Sequence, residues 1–204
     1  MPREIKTPVI FTGENPGLSL FDAGSGALVA AASYWRCTYS AHGEGNALVL
    51  WLDLAATGAG EGMLTAIYAD NAPMARFVTD TLNQHFGDFR DKGFPSVTPE
   101  PARFFQESDS RTYHRVVAHT GAHRVELLWR DVRDYQQVIG SDMRLGGRSF
   151  ELATVICPCA EATISLDGTP LRGDVRLSER DGHPQSSAFL AFAESWVDRG
   201  PAEG

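Results

Sequence analysis

Apolar and polar residues alternate along much of this chain with the two-residue period of a β-strand. In ALVLWLDLAA (47–56), every second position from Leu48 to Leu54 is leucine, whereas Trp51 and Asp53 fall on the opposite face. Gly- and Pro-containing turns separate this segment from others of strand character. We predict further strands at 27–41, 63–70, 102–108, 112–119, 123–132, 150–157, 161–166 and 175–179.

One segment follows a helical period instead. In 72–86, five apolar residues recur at steps of three or four, which predicts an amphipathic helix. Asp70 or Asn71 can cap its start, Pro73 suits its first turn, and Gly87 can end it. The apolar stripe is typical of a helix that packs against a sheet.

A hairpin register can be predicted around residue 120. A two-residue turn at Thr120–Gly121 would set Arg115 opposite Glu126, which is an attractive cross-strand pair. The same register places His114 and Leu127 on the other face, together with Val116 and Val125.

Short strands at this spacing are typical of a closed barrel or a sandwich. An eight-stranded antiparallel barrel can hold one small ligand. We therefore predict a mainly β fold: a single domain over 1–204, built as an antiparallel barrel of eight to nine strands with one amphipathic helix packed on it. The tail 198–204 is expected to be frayed.

Charge and composition narrow the classes of partner. The net charge of −8 argues against nucleic acid and against an anionic membrane surface. The first 26 residues lack a signal-peptide pattern, and no run reaches the roughly 18–20 apolar residues of a membrane span. Three cysteines without framework spacing suggest free thiols in a reducing compartment, so we expect a cytoplasmic protein.

The sequence motifs give little support for a cofactor or for a metal site. No phosphate-binding loop, dinucleotide fingerprint or G-x-S-x-G elbow is present, so no cofactor is predicted. His119 and His123 flank a predicted turn and could approach a metal with His114 or Glu126, but exposed polar residues are ordinary there. Cys157 and Cys159 lack the spacing of a zinc or redox motif, and no metal site is predicted.

The last third of the chain, VICPCAEATISLDGTPLRG…SSAFLAFAESWV, carries a resemblance. Its strand, DG hairpin, strand and final aromatic strand with one carboxylate resemble the end of single-barrel, lipocalin-like (calycin) enzymes, which include carotenoid hydratases and cyclases. The resemblance covers about a quarter of the chain. It implies a barrel that binds a small molecule, and no catalytic residue follows from it.

Glu194 is the first candidate for chemistry. If 187–197 is a strand, Glu194 shares a face with Phe192 and Trp196, and burial there would raise its pKa. Such a carboxyl group can act as a general acid or base near neutral pH. Two other interpretations stay open: Glu194 pairs with Arg36 or Arg199 at a wet rim, or 187–197 is a helix.

His114 and Asp53 are the other candidate catalytic residues. His114 is predicted to face inward beside Leu127, where a neutral imidazole can move a proton. Asp53 shares a strand face with Trp51, although a strand end at the solvent would explain it equally well. The side chains expected to line a cavity are Tyr34, Trp35, Trp51, Tyr113, Trp129, Phe192 and Trp196.

Two functions are consistent with these residues. The first is a cofactor-free acid–base enzyme, an isomerase or a lyase of the hydratase, dehydratase or cyclase type, that acts on an apolar small metabolite. The second is a non-catalytic carrier or sensor of such a ligand. The number of inward polar residues favours the enzyme. A homodimer is compatible with either function.

Overall fold

The computed structural model describes residues 8–109 and 111–202. The fold is mainly β. Its strands are Val9–Glu14 (β1), Gly17–Phe21 (β2), Leu28–Ser40 (β3), Gly45–Asp53 (β4), Met63–Ala69 (β5), Glu100–Ser108 (β6), Tyr113–Thr120 (β7), Arg124–Val132 (β8), Gln136–Leu145 (β9), Arg148–Leu166 (β10), Thr169–Pro170 (β11), Leu177–Arg180 (β12), His183–Ser186 (β13) and Ala188–Pro201 (β14). The helices are Leu54–Thr57 (α1) and Ala72–Thr81 (α2), with 3₁₀ turns at Asn83–His85 and Phe94–Ser96.

Strand pairing closes into a ring through nine strands. The order is β2–β3–β4–β5–β6–β7–β8–β10–β14, and β14 returns to β2. The long strand β10 joins the two halves of the ring: its first part pairs with β14, and its second part pairs with β8. Strand β1 runs in line with β2 and pairs with both β14 and β3.

Two apolar clusters lie on the two faces of this sheet. The inner cluster fills the ring and includes Leu50, Leu127, Trp129 and Leu190. The outer cluster lies between the outside of the ring and α2, and it includes Trp35, Val78 and Trp196. We call the two faces of each ring strand inner and outer according to the cluster that they contact.

The nine strands of the ring agree with the predicted eight to nine, although the described residues form fourteen strands in all, and the pairing is not antiparallel throughout. Strands β5 and β6 meet in parallel through two residue pairs, Tyr68–Glu100 and Ala69–Pro101. The chain enters β6 in this direction because α2 and a loop carry it back across the outer face between the two strands. This short contact closes the ring on the side opposite β10.

The predicted hairpin register is wrong by two residues. The turn has two residues, but these are Gly121 and Ala122, because Thr120 N–H donates to His123 O at 2.9 Å. Arg115 therefore lies opposite Leu128 rather than Glu126. A shift of two residues leaves every side chain on its predicted face. Arg115 still reaches Glu126 diagonally, with Nε 3.0 Å from Oε1.

The helix predicted at 72–86 is present but shorter. Asn71 caps it, since its Oδ1 accepts from Met74 N–H at 3.1 Å. The α-helix ends at Thr81, before the predicted Gly87, and a 3₁₀ turn follows. The stop coincides with a tertiary contact that the helical period could not reveal: Asn83 Oδ1 accepts from the Trp35 indole N–H at 3.0 Å.

Other boundaries also differ from the prediction. Residues 150–157 and 161–166 belong to one strand, β10, and β9 was not predicted. The predicted strand at 175–179 is replaced by a separate β12–β13 hairpin. Segment 187–197 is a strand and not a helix, and β14 continues to Pro201, so the tail is paired further than predicted. Residues 203–204 of that tail lie outside the described residues.

No helix within the described ranges is long and apolar enough to cross a bilayer.

Candidate functional site

A β-bulge in β14 decides where the candidate residues lie. Phe192 pairs with Val155 and Ser195 pairs with Ala153, so Ala193 and Glu194 together oppose the single residue Thr154. Ala193 adopts the left-handed conformation, with φ of 50°. An extra residue of this kind shifts the alternation of side chains along the strand.

The bulge moves Glu194 to the outer face. Ahead of it, Ala188 and Leu190 are buried in the inner cluster and Phe192 packs against them. Beyond it, Trp196 belongs to the outer cluster with Phe11. Glu194 precedes Trp196 by two residues and therefore shares its face. The prediction that Glu194 and Phe192 share a face is wrong, because it assumed unbroken alternation.

The Glu194 carboxyl group is buried, with 4% of the residue exposed. Its Oε1 accepts from the Trp196 indole N–H at 2.6 Å, whereas the nearby Thr154 hydroxyl donates to Phe192 O at 3.3 Å. Burial raises the pKa of Glu194 to about 7, and the polar groups of Trp196 and Thr154 lower it in part. The alternative pairing with an arginine is excluded, since Arg36 pairs with Glu14 and Arg199 pairs with Glu151.

His114 lies on the inner face, as predicted, and is fully buried. Its ring meets Trp129 and Phe192 edge-on, with centroids 5.5 and 5.8 Å away. Neither ring nitrogen has a hydrogen-bond partner among the described residues. Burial lowers the pKa of His114 to about 4; the Glu14 charge raises it and the Arg36 charge lowers it, both to a smaller extent. The imidazole is therefore neutral at pH 7.

Tyr34 belongs to the same inner apolar cluster as Trp129, and Phe192 packs against that cluster. It is 1% exposed, and its hydroxyl donates to Asn46 Oδ1 at 2.6 Å. Phe104 packs against its ring at a centroid distance of 5.8 Å. Burial raises the pKa of Tyr34 well above its usual range, so the hydroxyl keeps its proton and acts as a hydrogen-bond donor.

Polar side chains surround the end of the ring at which Tyr34 and Phe104 lie. Glu14 holds two of them: Oε1 accepts from Arg36 Nη1 and Oε2 accepts from Gln106 Nε2, both at 3.0 Å. Strand alternation aims this group inward, since Arg36 follows Tyr34 by two residues and Gln106 follows Phe104 by two. We call the five residues Glu14, Arg36, Asn46, Gln106 and Ser108 the polar mouth.

An open cavity of about 410 Å³ lies at the polar mouth. Tyr34 and Phe104 form its apolar side, and four of the five mouth residues line the remainder. Aromatic walls with a few convergent polar groups are typical of small-molecule sites. Elsewhere the inner face is packed with side chains, so the open volume is at this end of the ring rather than along its length.

The structure brings together four of the predicted site residues: Tyr34, His114, Trp129 and Phe192. Three predicted cavity residues, Trp35, Trp51 and Trp196, lie instead on the outer face. Lys92 covers the Trp51 ring, and Asn83 accepts from Trp35. The expectation that all four tryptophans share one cavity is therefore wrong.

Asp53 and Tyr113 also lie away from the polar mouth. Asp53 ends β4 and caps α1, where its Oδ1 accepts from Ala56 N–H at 2.9 Å. Tyr113 precedes His114 and therefore points outward, where its hydroxyl donates to Glu107 at 2.9 Å. Both side chains have local structural partners.

The residues considered as candidate metal ligands lie apart from one another. His123 bonds Asp167 at 2.9 Å, and His119 packs edge-on against Phe105. Within 8–109 and 111–202, no group of three or more His, Cys, Asp or Glu side chains is arranged to hold a metal ion. Cys157 and Cys159 are free and buried on the inner face, and burial raises their pKa values to about 11 and 12.

Sequence reasoning missed most of the polar mouth. Glu14 lies in a segment for which no strand was predicted, and Arg36, Asn46 and Gln106 resemble ordinary solvent-facing residues near strand ends. One signal was available: each of these three stands two positions from an apolar inner residue. The alternation could therefore have placed them at the end of the inner face.

No family model matches the chain, and comparisons with curated proteins and with solved structures also find no match.

Proposed function

We propose that this protein is a cofactor-free enzyme that moves a proton on a small, mostly apolar metabolite held at the polar mouth. The observation that carries the proposal is His114, a fully buried imidazole with two unpaired nitrogens. It does not line the cavity itself, but it lies opposite Ser108, which does. An unpaired buried polar group costs about 1–3 kcal/mol, so stability alone does not favour it. A polar atom of a ligand would give these nitrogens a partner.

A neutral imidazole suits reactions in which a proton leaves one atom and returns to another. One nitrogen of His114 would accept the proton from the metabolite, and the imidazolium formed would donate a proton to a second atom of the same molecule. The nearby Glu14 carboxylate favours the imidazolium form. Isomerisation and hydration or dehydration both follow this scheme without a cofactor.

The surroundings define the class of substrate. Tyr34 and Phe104, which line the cavity, would hold a ring or an isoprenoid-like chain, while the amides and charges of the polar mouth would hold one hydroxyl or carbonyl group. Trp129 and Phe192 pack around His114 behind this lining. A nine-strand ring with an aromatic final strand supports a lipocalin-like barrel as the framework of this site.

A non-catalytic carrier or sensor is the second candidate, and one observation favours it. Glu194, the carboxyl group whose pKa lies near 7, is on the outer face and cannot act as the partner of His114. His114, with a pKa of about 4, is a weak base in the empty site.

Native mass spectrometry of gently purified protein tests the proposal. We would compare the wild type with His114→Phe, using His119→Phe as the control because His119 lies exposed on the same strand. We expect a bound molecule of a few hundred daltons in the wild type and the control, and its loss from His114→Phe. Equal occupancy in all three proteins would contradict a site at His114.

The molecule identified in this way then separates enzyme from carrier. It would be incubated with ligand-free protein in D₂O, and deuterium incorporation into its carbon skeleton would be followed by mass spectrometry. A proton-transfer enzyme exchanges a carbon-bound hydrogen with solvent, and His114→Phe should abolish the exchange. Binding without exchange would establish the carrier instead.

A further inference from the structure

A second cavity lies on the outer face, away from the polar mouth. It encloses about 300 Å³ between the outer faces of β2, β3 and β14 and the segment 86–89 that follows α2. The residues that matter for its chemistry are Asn15, Ser33, Phe86, Asp88, Phe89 and Phe189.

Three phenylalanine rings line this cavity, and each is held in place by packing. Phe86 stacks between Trp35 and Trp196, with centroids 6.2 and 6.3 Å away. Phe89 packs against Phe94 at 5.8 Å. The Phe189 ring lies so close to Gly17 that a Cβ there would be 2.5 Å from it, so only glycine permits this position. The aromatic surface is therefore preorganised.

A carboxylate without a cationic partner stands at the same cavity. Asp88 Oδ2 accepts from the Ser19 hydroxyl at 2.6 Å, and no described residue forms an ion pair with Asp88. The nearest candidate along the chain, Arg90, donates instead to His85 O at 3.2 Å. Asn15 and Ser33 add buried polar atoms, with Asn15 Nδ2 2.8 Å from Ser33 Oγ.

We propose that this outer cavity binds a small organic cation that carries an alkylated ammonium group. The apolar rings that line the cavity suit the alkyl groups of such a cation, and a single carboxylate beside them supplies the opposite charge. An alkylated ammonium fits better than a primary one, because it has few N–H groups to satisfy and is less costly to desolvate in a cavity with three phenylalanine rings. The net charge of −8 also raises the local concentration of cations.

The probe pair is choline and its neutral isostere 3,3-dimethyl-1-butanol, which differ in charge and hardly in shape. Binding would be measured by isothermal titration calorimetry at low ionic strength, on the wild type and on Asp88→Asn and Asp91→Asn. The asparagine at 88 can still accept from Ser19. Asp91 is an exposed neighbour whose φ of 61° asparagine tolerates, so it is a matched control for charge.

We expect choline to bind at least about tenfold more tightly than the alcohol, and Asp88→Asn to weaken choline by about tenfold or more, with less than about twofold change for Asp91→Asn. Equal binding of the two probes, no binding of choline at millimolar concentration, or equal effects of the two variants would each overturn the proposal. If Asp88→Asn does not fold, Phe189→Leu should weaken choline instead, and the comparison of the two probes on the wild type decides the question without any variant.

Discussion

At the scale of single residues, two buried titratable groups stand out because their surroundings shift their pKa values in opposite senses. His114 packs against two aromatic rings and has no hydrogen-bond partner in the described part of the chain, so its charged form is disfavoured. Glu194 accepts from the Trp196 indole N–H and yet is also held towards its neutral form by burial. At either position, an apolar side chain of similar size would avoid the free-energy cost of burying a polar group.

Replacing His114 by phenylalanine should therefore stabilise the fold. The substitution keeps the edge-on contacts with Trp129 and Phe192 and removes two unpaired polar atoms. We expect the free energy of unfolding at pH 7 to rise by about 1–3 kcal/mol in urea denaturation. His119→Phe, at an exposed position, should change it by less than about 0.5 kcal/mol. A loss of stability in His114→Phe would mean that the imidazole has a structural partner.

At the scale of elements, the bulge in β14 separates the two groups. Ala193 takes a left-handed conformation that costs an L-residue about 1–2 kcal/mol, and the bulged strand places Glu194 on the outer face beside Trp196 instead of inside the ring. Without the extra residue, the carboxyl group would point towards the inner cluster. One local irregularity thus determines which residues can act together.

The variant Ala193→Gly tests whether the left-handed conformation at this position is strained. Glycine adopts the left-handed conformation freely, so we expect no loss of stability, or a gain of up to about 1 kcal/mol in chemical denaturation. Ala162→Gly is the reference, because Ala162 pairs in regular register with Trp129 and has an ordinary φ. It should lose about 0.5–1 kcal/mol. Similar losses for both variants would show that the conformation at Ala193 is not strained.

The sequence predicts regular elements well and fails where tertiary contacts override the local pattern. The alternation around Leu50 and the caps at Asn71 reflect local physics, and both elements are present. The bulge at Ala193 carries no glycine or other local signal, because its conformation is imposed by Phe192 and Ser195, which pair with β10 on either side of it. Asp53 shows the same limit: an acidic residue within an alternating run is equally suited to capping a helix.

At the scale of the whole molecule, the chain forms three layers: α2, the sheet half that it covers, and the sheet half beyond the inner cluster. His114 lies between the two sheet halves, and Glu194 lies on the outer face of the sheet beside Trp196. The two cavities lie on opposite faces of the sheet: the polar mouth opens from the inner face, and the outer cavity opens from the outer face. A substitution at one cavity therefore makes no direct contact with the other cavity.

The two buried groups should have opposite effects on stability as pH changes. The folded-state pKa of His114 is about 4, below the 6.5 of an unfolded histidine, so the folded state loses stability as pH falls from 6.5 to 4. The folded-state pKa of Glu194 is about 7, above the usual 4.5, so the folded state loses stability as pH rises from 4.5 to 7. Each shift corresponds to about 3 kcal/mol.

The most direct test is the free energy of unfolding of the wild type, His114→Phe and Glu194→Gln between pH 4 and pH 7.5. Relative to the wild type, His114→Phe should gain about 3 kcal/mol as pH falls through this range, and Glu194→Gln should gain about 3 kcal/mol as pH rises through it. Parallel profiles for all three proteins would contradict the account, since they would mean that neither group is buried in the environment described.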